Sequence, residues 1–260
     1  MILFSICATC CALIINPQPG TRTKTDGDMT IDYSNMNQGY VLIKCTAREE
    51  TAKADKIQVS KGKNKIHYDM NFNGDYEIIP LQYGNGKYTF QFYKHKQAKT
   101  YALEAEISLK VKMSDENAAF LCPNQYVNFT EDTEAVKKAN ELCKDLTDHN
   151  KIYKTIRKFI ITNFHYDYIK SYNVKKGQLP DIDGAWNKKM GICQDLSAIA
   201  VAMLRSQGVP AKLVIGTFKG QTGTTPHAWV SVILDGKEQR FDPVADIQHV
   251  KGTYTVERWY

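Results

Sequence analysis

Between Gly191 and Pro210 the chain reads as a single helix that begins at a cysteine and is cut off by Gly208 and Pro210. Leu196, Ile199, Ala200, Met203 and Leu204 recur at helical spacing, which gives this helix one apolar face to bury. Cys193 falls on the same face, one turn before Leu196. It also occupies the first turn, where unpaired backbone N–H groups and the positive end of the helix dipole favour a thiolate. Such a cysteine suits a nucleophile. It equally suits an inert core position, because free cysteine is among the most buried residue types.

The residues downstream weigh between the two. Thr225–Ile233 reads as a strand with His227 near its start, and Asp235-Gly236 reads as a tight turn. Gln239–Pro243 reads as the returning strand, with Asp242 near its end. Two antiparallel strands joined in this way set His227 beside Asp242, and a helix packed on them brings Cys193 to the imidazole. Nucleophile, base and a group that orients the base are the parts of a catalytic triad. A free thiol, with a pKa near about 8.5, is only a few per cent ionised at neutral pH, so it needs a neighbouring imidazolium to act.

Three motifs in this order resemble the transglutaminase-like superfamily, a rearranged relative of the papain fold. They are Gly191-Ile192-Cys193 with the Gly208-Val209-Pro210 stop, His227-Ala228-Trp229, and Asp242-Pro243. The resemblance spans roughly residues 131–250 and is to bacterial-type exported members. It implies that Cys193 is the nucleophile, His227 the base and Asp242 the orienting carboxylate, with Trp229 packed beside them. It implies acyl transfer through a thioester without a cofactor. Hydrolysis of peptide or amide bonds is the first expectation. Glutamine-to-amine cross-linking and a non-catalytic module that keeps the fold are the alternatives.

Around this centre the expected fold class is α+β. Tyr40–Cys45, Lys65–Met70, Lys87–Tyr93 and Ala105–Val111 read as short strands separated by turn signals such as Asn73-Gly74 and Gly84-Asn85-Gly86. They suggest an antiparallel β-sandwich over 29–115 that grips a polymer, a surface or a partner domain. The catalytic domain then covers 116–260, with a connector to about 130 and helices over about 133–147 and 150–164. His149 and His165 flank the second helix and read as solvated or capping residues. Residues 166–190 read as a long loop forming a cleft wall. Trp186 lies in that loop and, with Trp229, is a candidate substrate contact. The backbone N–H of Cys193 is a candidate oxyanion donor.

Residues 1–28 read as a leader and linker. The apolar run over residues 1–15 is too short to span a bilayer and suits a secretory signal, although no lysine or arginine precedes it. The expected location is therefore outside the cytoplasm, secreted or at the cell surface. A leader or anchor at this end would be the only membrane attachment. Of seven cysteines, Cys7, Cys10 and Cys11 fall in this leader. Cys45, Cys122, Cys143 and Cys193 lack the spacing of a disulfide framework or a metal site. The net charge of +6 is spread along the chain without a basic tract, which argues against nucleic acid as a partner. The expected partners are protein or peptide substrates, together with cell-wall or cell-surface components.

Overall fold

The computed structural model describes residues 18–46, 55–70, 73–175, 177–221 and 223–260. The leader up to residue 17, with Cys7, Cys10 and Cys11, lies outside the described residues. The described residues divide into two compact units, one from residue 18 to Gln125 with Tyr260 and one over Tyr126–Trp259.

The first unit is all β. Its strands are β1 (Thr23–Asp26), β2 (Met29–Asp32), β3 (Tyr40–Cys45), β4 (Lys56–Lys61), β5 (Asn64–Asp69), β6 (Glu77–Pro80), β7 (Gly86–Gln97) and β8 (Thr100–Val111). They form two four-stranded sheets, ordered β1-β2-β3-β6 and β5-β4-β7-β8, and every pairing is antiparallel. Alternation sets the buried faces: Tyr88, Phe90 and Phe92 of β7 point inward, as do Ile57 and Val59 of β4. The β3 strand is covered on both sides, and Tyr40 and Leu42 pack with Cys122 from the connector. The Tyr88 hydroxyl donates to the Leu81 carbonyl at 2.9 Å and accepts from the Tyr83 N–H at 2.8 Å, tying β7 to the segment after β6.

The second unit is helix on sheet. Its helices are α1 (Glu134–Cys143), α2 (His149–Asn163), α3 (Tyr168–Asn173), α4 (Ile182–Lys188), α5 (Cys193–Ser206) and α6 (Pro243–Gln248). Two short strands, β9 (His165–Tyr166) and β10 (Met190–Gly191), pair in parallel. A four-stranded antiparallel sheet is ordered β13-β12-β11-β14, from β11 (Ala211–Gly220), β12 (Gly223–Leu234), β13 (Lys237–Phe241) and β14 (Thr253–Trp259). Among the described residues no helix is long and apolar enough to cross a membrane.

Two expectations change here. The α5 helix is not amphipathic in its setting: every residue from Asp195 to Ser206 is buried. It is enclosed by β11 and β12 on one side and by α1, α2, α4 and α6 on the others. Ala198, Ala200 and Ala202 keep its girth small enough for neighbours to approach all round. The long loop over 166–190 in fact contains α3 and α4. Asp167 caps α3 by accepting the Lys170 N–H at 2.8 Å, and Asp181 caps α4 by accepting the Gly184 N–H at 2.9 Å.

Gly216, at a register shift between β11 and β14, pairs with His227 of β12 on one side and Val256 of β14 on the other. A Cβ at Gly216 would lie 2.0 Å from the Thr255 carbonyl oxygen and 3.0 Å from the Trp229 ring. Gly216→Ala must therefore push β14 or the indole aside, at a cost of about 1–3 kcal/mol. Chemical denaturation of Gly216→Ala should show that loss.

Candidate active site

Each part of the site has a local reason for its position. The β13 strand pairs with β12 only over Val230–Leu234, so the start of β12 has no strand on that side. The Asp235-Gly236 turn that joins them places both residues at positive φ, 51° and 72°, as a two-residue hairpin loop requires. Asp242 follows β13 immediately and caps α6. Its Oδ1 accepts the Val244 and Ala245 N–H groups, each at 3.0 Å. The cap turns the other carboxylate oxygen towards the open start of β12, where His227 Nε2 meets Asp242 Oδ2 at 2.6 Å. The Tyr254 hydroxyl of β14 donates to the same oxygen at 2.8 Å.

The thiol arrives from the other direction. The Ser197 hydroxyl of α5 donates to the Ala228 carbonyl at 3.3 Å, fixing the first turns of the helix beside β12. The turn before Cys193 is gathered by Asp195, which has no exposed surface. Its Oδ2 accepts the Ile192 N–H at 3.0 Å, its Oδ1 accepts the Asp181 N–H at 2.9 Å, and Lys170 Nζ lies 2.8 Å from Oδ2. Pairing of β10 with β9 holds the same approach from behind.

Cys193 is half-buried and, with His227, lines a cleft of about 860 Å3. Hydrogen bonding between the Cys193 thiol and the imidazole contributes to the electrostatics of His227. Because Nε2 is committed to Asp242, Nδ1 is the ring nitrogen left for sulfur. Burial alone would push the His227 pKa down, but hydrogen bonds from Asp242 and Cys193 and their charges outweigh it and raise it to about 9. Burial likewise opposes ionisation of Asp242, yet hydrogen bonding and charge from His227, with the Ala245 N–H and Tyr254, hold its carboxyl below the ordinary value. The Tyr254 hydroxyl is pushed up by burial and by its bond to Asp242, so it stays protonated as a donor.

The structure thus brings Cys193, His227 and Asp242 to one place. Neither tryptophan expected at the substrate is among the residues lining the cleft. Trp186 is buried between Phe159 and Phe164, at centroid distances of 5.9 and 5.6 Å, with Lys189 Nζ 3.6 Å above its ring. Trp229 is buried behind the site, edge-on to Tyr254 at 5.0 Å and stacked at 6.3 Å from His227. Their indoles are too large and apolar to leave the core that holds them. The cleft wall is instead formed by Tyr166, Tyr168 and Tyr172 around α3, with Phe218 and Pro226 opposite in the sheet. His149 and His165 are not among the lining residues. Sequence reading missed Tyr254, Lys170 and Asp195. Only the alternation of Thr253–Trp259 hinted at β14, and nothing local tied Lys170 to Asp195.

Residues 136–243 match the model of the transglutaminase-like superfamily. This segment is similar to a transglutaminase-like core. Among curated proteins, none matches the sequence. Similar solved structures include a protein from Cytophaga hutchinsonii, provisionally described as a cysteine protease. It is 14% identical, with 83% of this chain and 80% of that one covered and a TM-score of 0.41. The periplasmic domain of TgpA from Pseudomonas aeruginosa is 12% identical over 88% of this chain and 98% of its own, with a TM-score of 0.40. Red sea bream transglutaminase is 13% identical over 78% of this chain but only 47% of its own, with a TM-score of 0.30.

The His227 site carries a pH signature. His227 titrates near 6.5 when unfolded and near about 9 when folded, so its pairing stabilises fully below about pH 6.5. That contribution falls as pH rises through about 9. Thermal midpoints should decline over this window in the wild type, and the part due to His227 should vanish in His227→Gln. Lys170→Met should also destabilise the core. The loss should fall below the roughly 3–5 kcal/mol of breaking a fully buried pair, because Lys170 keeps some contact with water.

Proposed function

We propose that the protein is a thiol-dependent acyl-transfer enzyme that hydrolyses peptide or amide bonds, with Cys193 as nucleophile, His227 as acid and base, and Asp242 as the group that orients the imidazole. The observation that carries this reading is the His227 Nε2–Asp242 Oδ2 bond of 2.6 Å, in an imidazole that also interacts with the Cys193 thiol in an open cleft. With the thiol proton held by His227 Nδ1, the Cys193 sulfur attacks the substrate carbonyl carbon, and the carbonyl π pair moves to oxygen. The Cys193 and Gln194 N–H groups, in the first turn of α5, have no intrahelical carbonyl to bond and suit that oxyanion. The C–N bond then breaks as His227 Nδ1 gives its proton to the departing amine, leaving a thioester. Water, deprotonated by the now neutral imidazole, attacks the thioester and releases the acid and the thiol. Asp242 stays ionised throughout and holds the ring in place.

Hydrolysis is favoured over cross-linking because the cleft is broad and its wall is exposed to water: Tyr168 is 60% and Tyr172 is 87% exposed. Cross-linking would require water to be kept from the thioester. Peptide or protein chains, including wall-associated peptides, are the proposed substrates. Export is proposed from the apolar run over residues 1–15.

Iodoacetamide alkylation against pH, read by mass spectrometry, tests the assembled site without a known substrate. Cys193 should label faster than Cys45, Cys122 and Cys143, all of which are buried. Its profile should shift to higher pH in His227→Ala. An unchanged profile would sink the enzyme reading. On a peptide library, Cys193→Ala should lose at least about 10³-fold in rate. Incorporation of a labelled amine into glutamine-rich protein, without fragment release, would move the assignment to cross-linking.

A further inference from the structure

A second cavity, of about 450 Å3, also reaches Asp242, although neither Cys193 nor His227 lines it. Tyr153, Arg157, Arg240, Asp246, Lys251 and Tyr254 form much of its wall. Its charges do not cancel. Arg157 is satisfied by Asp246, bonded through Nε at 3.1 Å and Nη2 at 2.8 Å. Asp242 is satisfied by His227, Tyr254 and the N-terminus of α6. Arg240 and Lys251 remain, and among the described residues neither has a carboxylate within ion-pair distance.

Arg240 is nevertheless held in position. Its guanidinium carbon lies 3.9 Å from the centroid of the Tyr254 ring. Stacking of this kind occupies the planar face of the guanidinium and leaves its N–H fork free to bind. Tyr153 adds a hydroxyl donor to the same wall. Two cations with spare donors, one of them preorganised by an aromatic ring, match the oxygens of a carboxylate or phosphate. Lys251 lines both this cavity and the catalytic cleft, which links the two spaces.

We propose that this cavity is an anion site, in which Arg240 and Lys251 bind a carboxylate or phosphate group beside the Tyr254–Asp242–His227 chain. The anion is either free in solution or an acidic side chain of a peptide lying in the cleft. The second source rests on the peptide-hydrolase reading above, whereas the site itself does not.

Isothermal titration of the full chain with inorganic phosphate, at constant ionic strength set with chloride, tests the site independently of catalysis. Saturable binding is expected, weakened about tenfold or more in Lys251→Gln and further in Arg240→Gln/Lys251→Gln. The single variant leaves the Arg240–Tyr254 stack intact and so guards against loss of binding through misfolding. Binding that does not saturate, or that is equal in wild type and both variants, overturns the proposal. Paired peptides with Glu or Gln near the scissile bond then separate the sources. A several-fold kcat/KM preference for Glu that disappears in Lys251→Gln assigns the site to substrate. Phosphate binding without such a preference assigns it to a free anion. Should no peptide be cleaved, the hydrolase reading fails while the phosphate titration still decides the site.

Discussion

A carboxylate with no exposed surface is tolerated only when its oxygens are fully engaged, and Asp195 imposes that condition on the segments around Cys193. Its partners come from three separate segments: the turn before α5, the start of α4, and Lys170 on α3. The start of α4 and the turn before α5 are also packed, through Ile182, Trp186 and Ile192, but α3 lacks apolar surface to fix itself. α3 has no buried residue, and Tyr168, Ile169 and Tyr172 on it are largely exposed. The ion pair therefore does what packing cannot, binding the cleft wall to the start of the helix that carries Cys193. Loss of the Asp195 carboxylate would release all three segments, whereas loss of Lys170 would release α3 alone.

Asp242 applies the same logic on the opposite side. One of its oxygens is consumed by the α6 cap, so the direction of the other is set by backbone rather than by a side-chain rotamer. The cap is possible because Pro243 occupies the first helical position, where a missing N–H costs nothing. Behind the imidazole, Trp229, Tyr254 and Phe218 close round His227, and the bare backbone of Gly216 leaves room for the indole. Cys193 and His227 are thus positioned by two buried carboxylates on independent elements.

This division explains which parts of the molecule were legible in the sequence. Cys193, His227 and Asp242 announced themselves because each is followed by residues that report local structure: a helical apolar run, a strand, and a proline. The β unit was equally readable, since Tyr88, Phe90 and Phe92 alternate with polar residues as a half-buried strand must. The interactions that support the site were not legible. Lys170 and Asp195 are far apart in sequence and carry no shared period, so only the fold shows them as a pair. Trp186 and Trp229 misled for the converse reason: a tryptophan next to a catalytic motif reads as a contact, while its size makes a core position equally natural. The loop over 166–190 hid two helices too short for a periodic pattern, marked only by the aspartates that cap them.

The same electrostatics bear on how the proposed reaction would proceed. The His227 pKa is held near about 9 by Asp242 and by Cys193 together, so the resting imidazole carries its proton at neutral pH. Acylation converts the sulfur to a neutral thioester and removes the Cys193 share of that stabilisation, while Asp242 remains. Burial, which opposes the imidazolium, then weighs more heavily, and the ring pKa falls towards the range of a general base. The acid needed for the first half of the cycle and the base needed for the second are thus the same ring, switched by the charge on sulfur. A lysine amine arriving at that stage would be mostly protonated, since its ordinary pKa is about 10.4, and would have to shed a proton before attacking. Water needs no such step, and a cleft walled by exposed tyrosines does little to keep it out. Hydrolysis is therefore the outcome this arrangement favours unless a substrate fills the cleft tightly enough to exclude solvent.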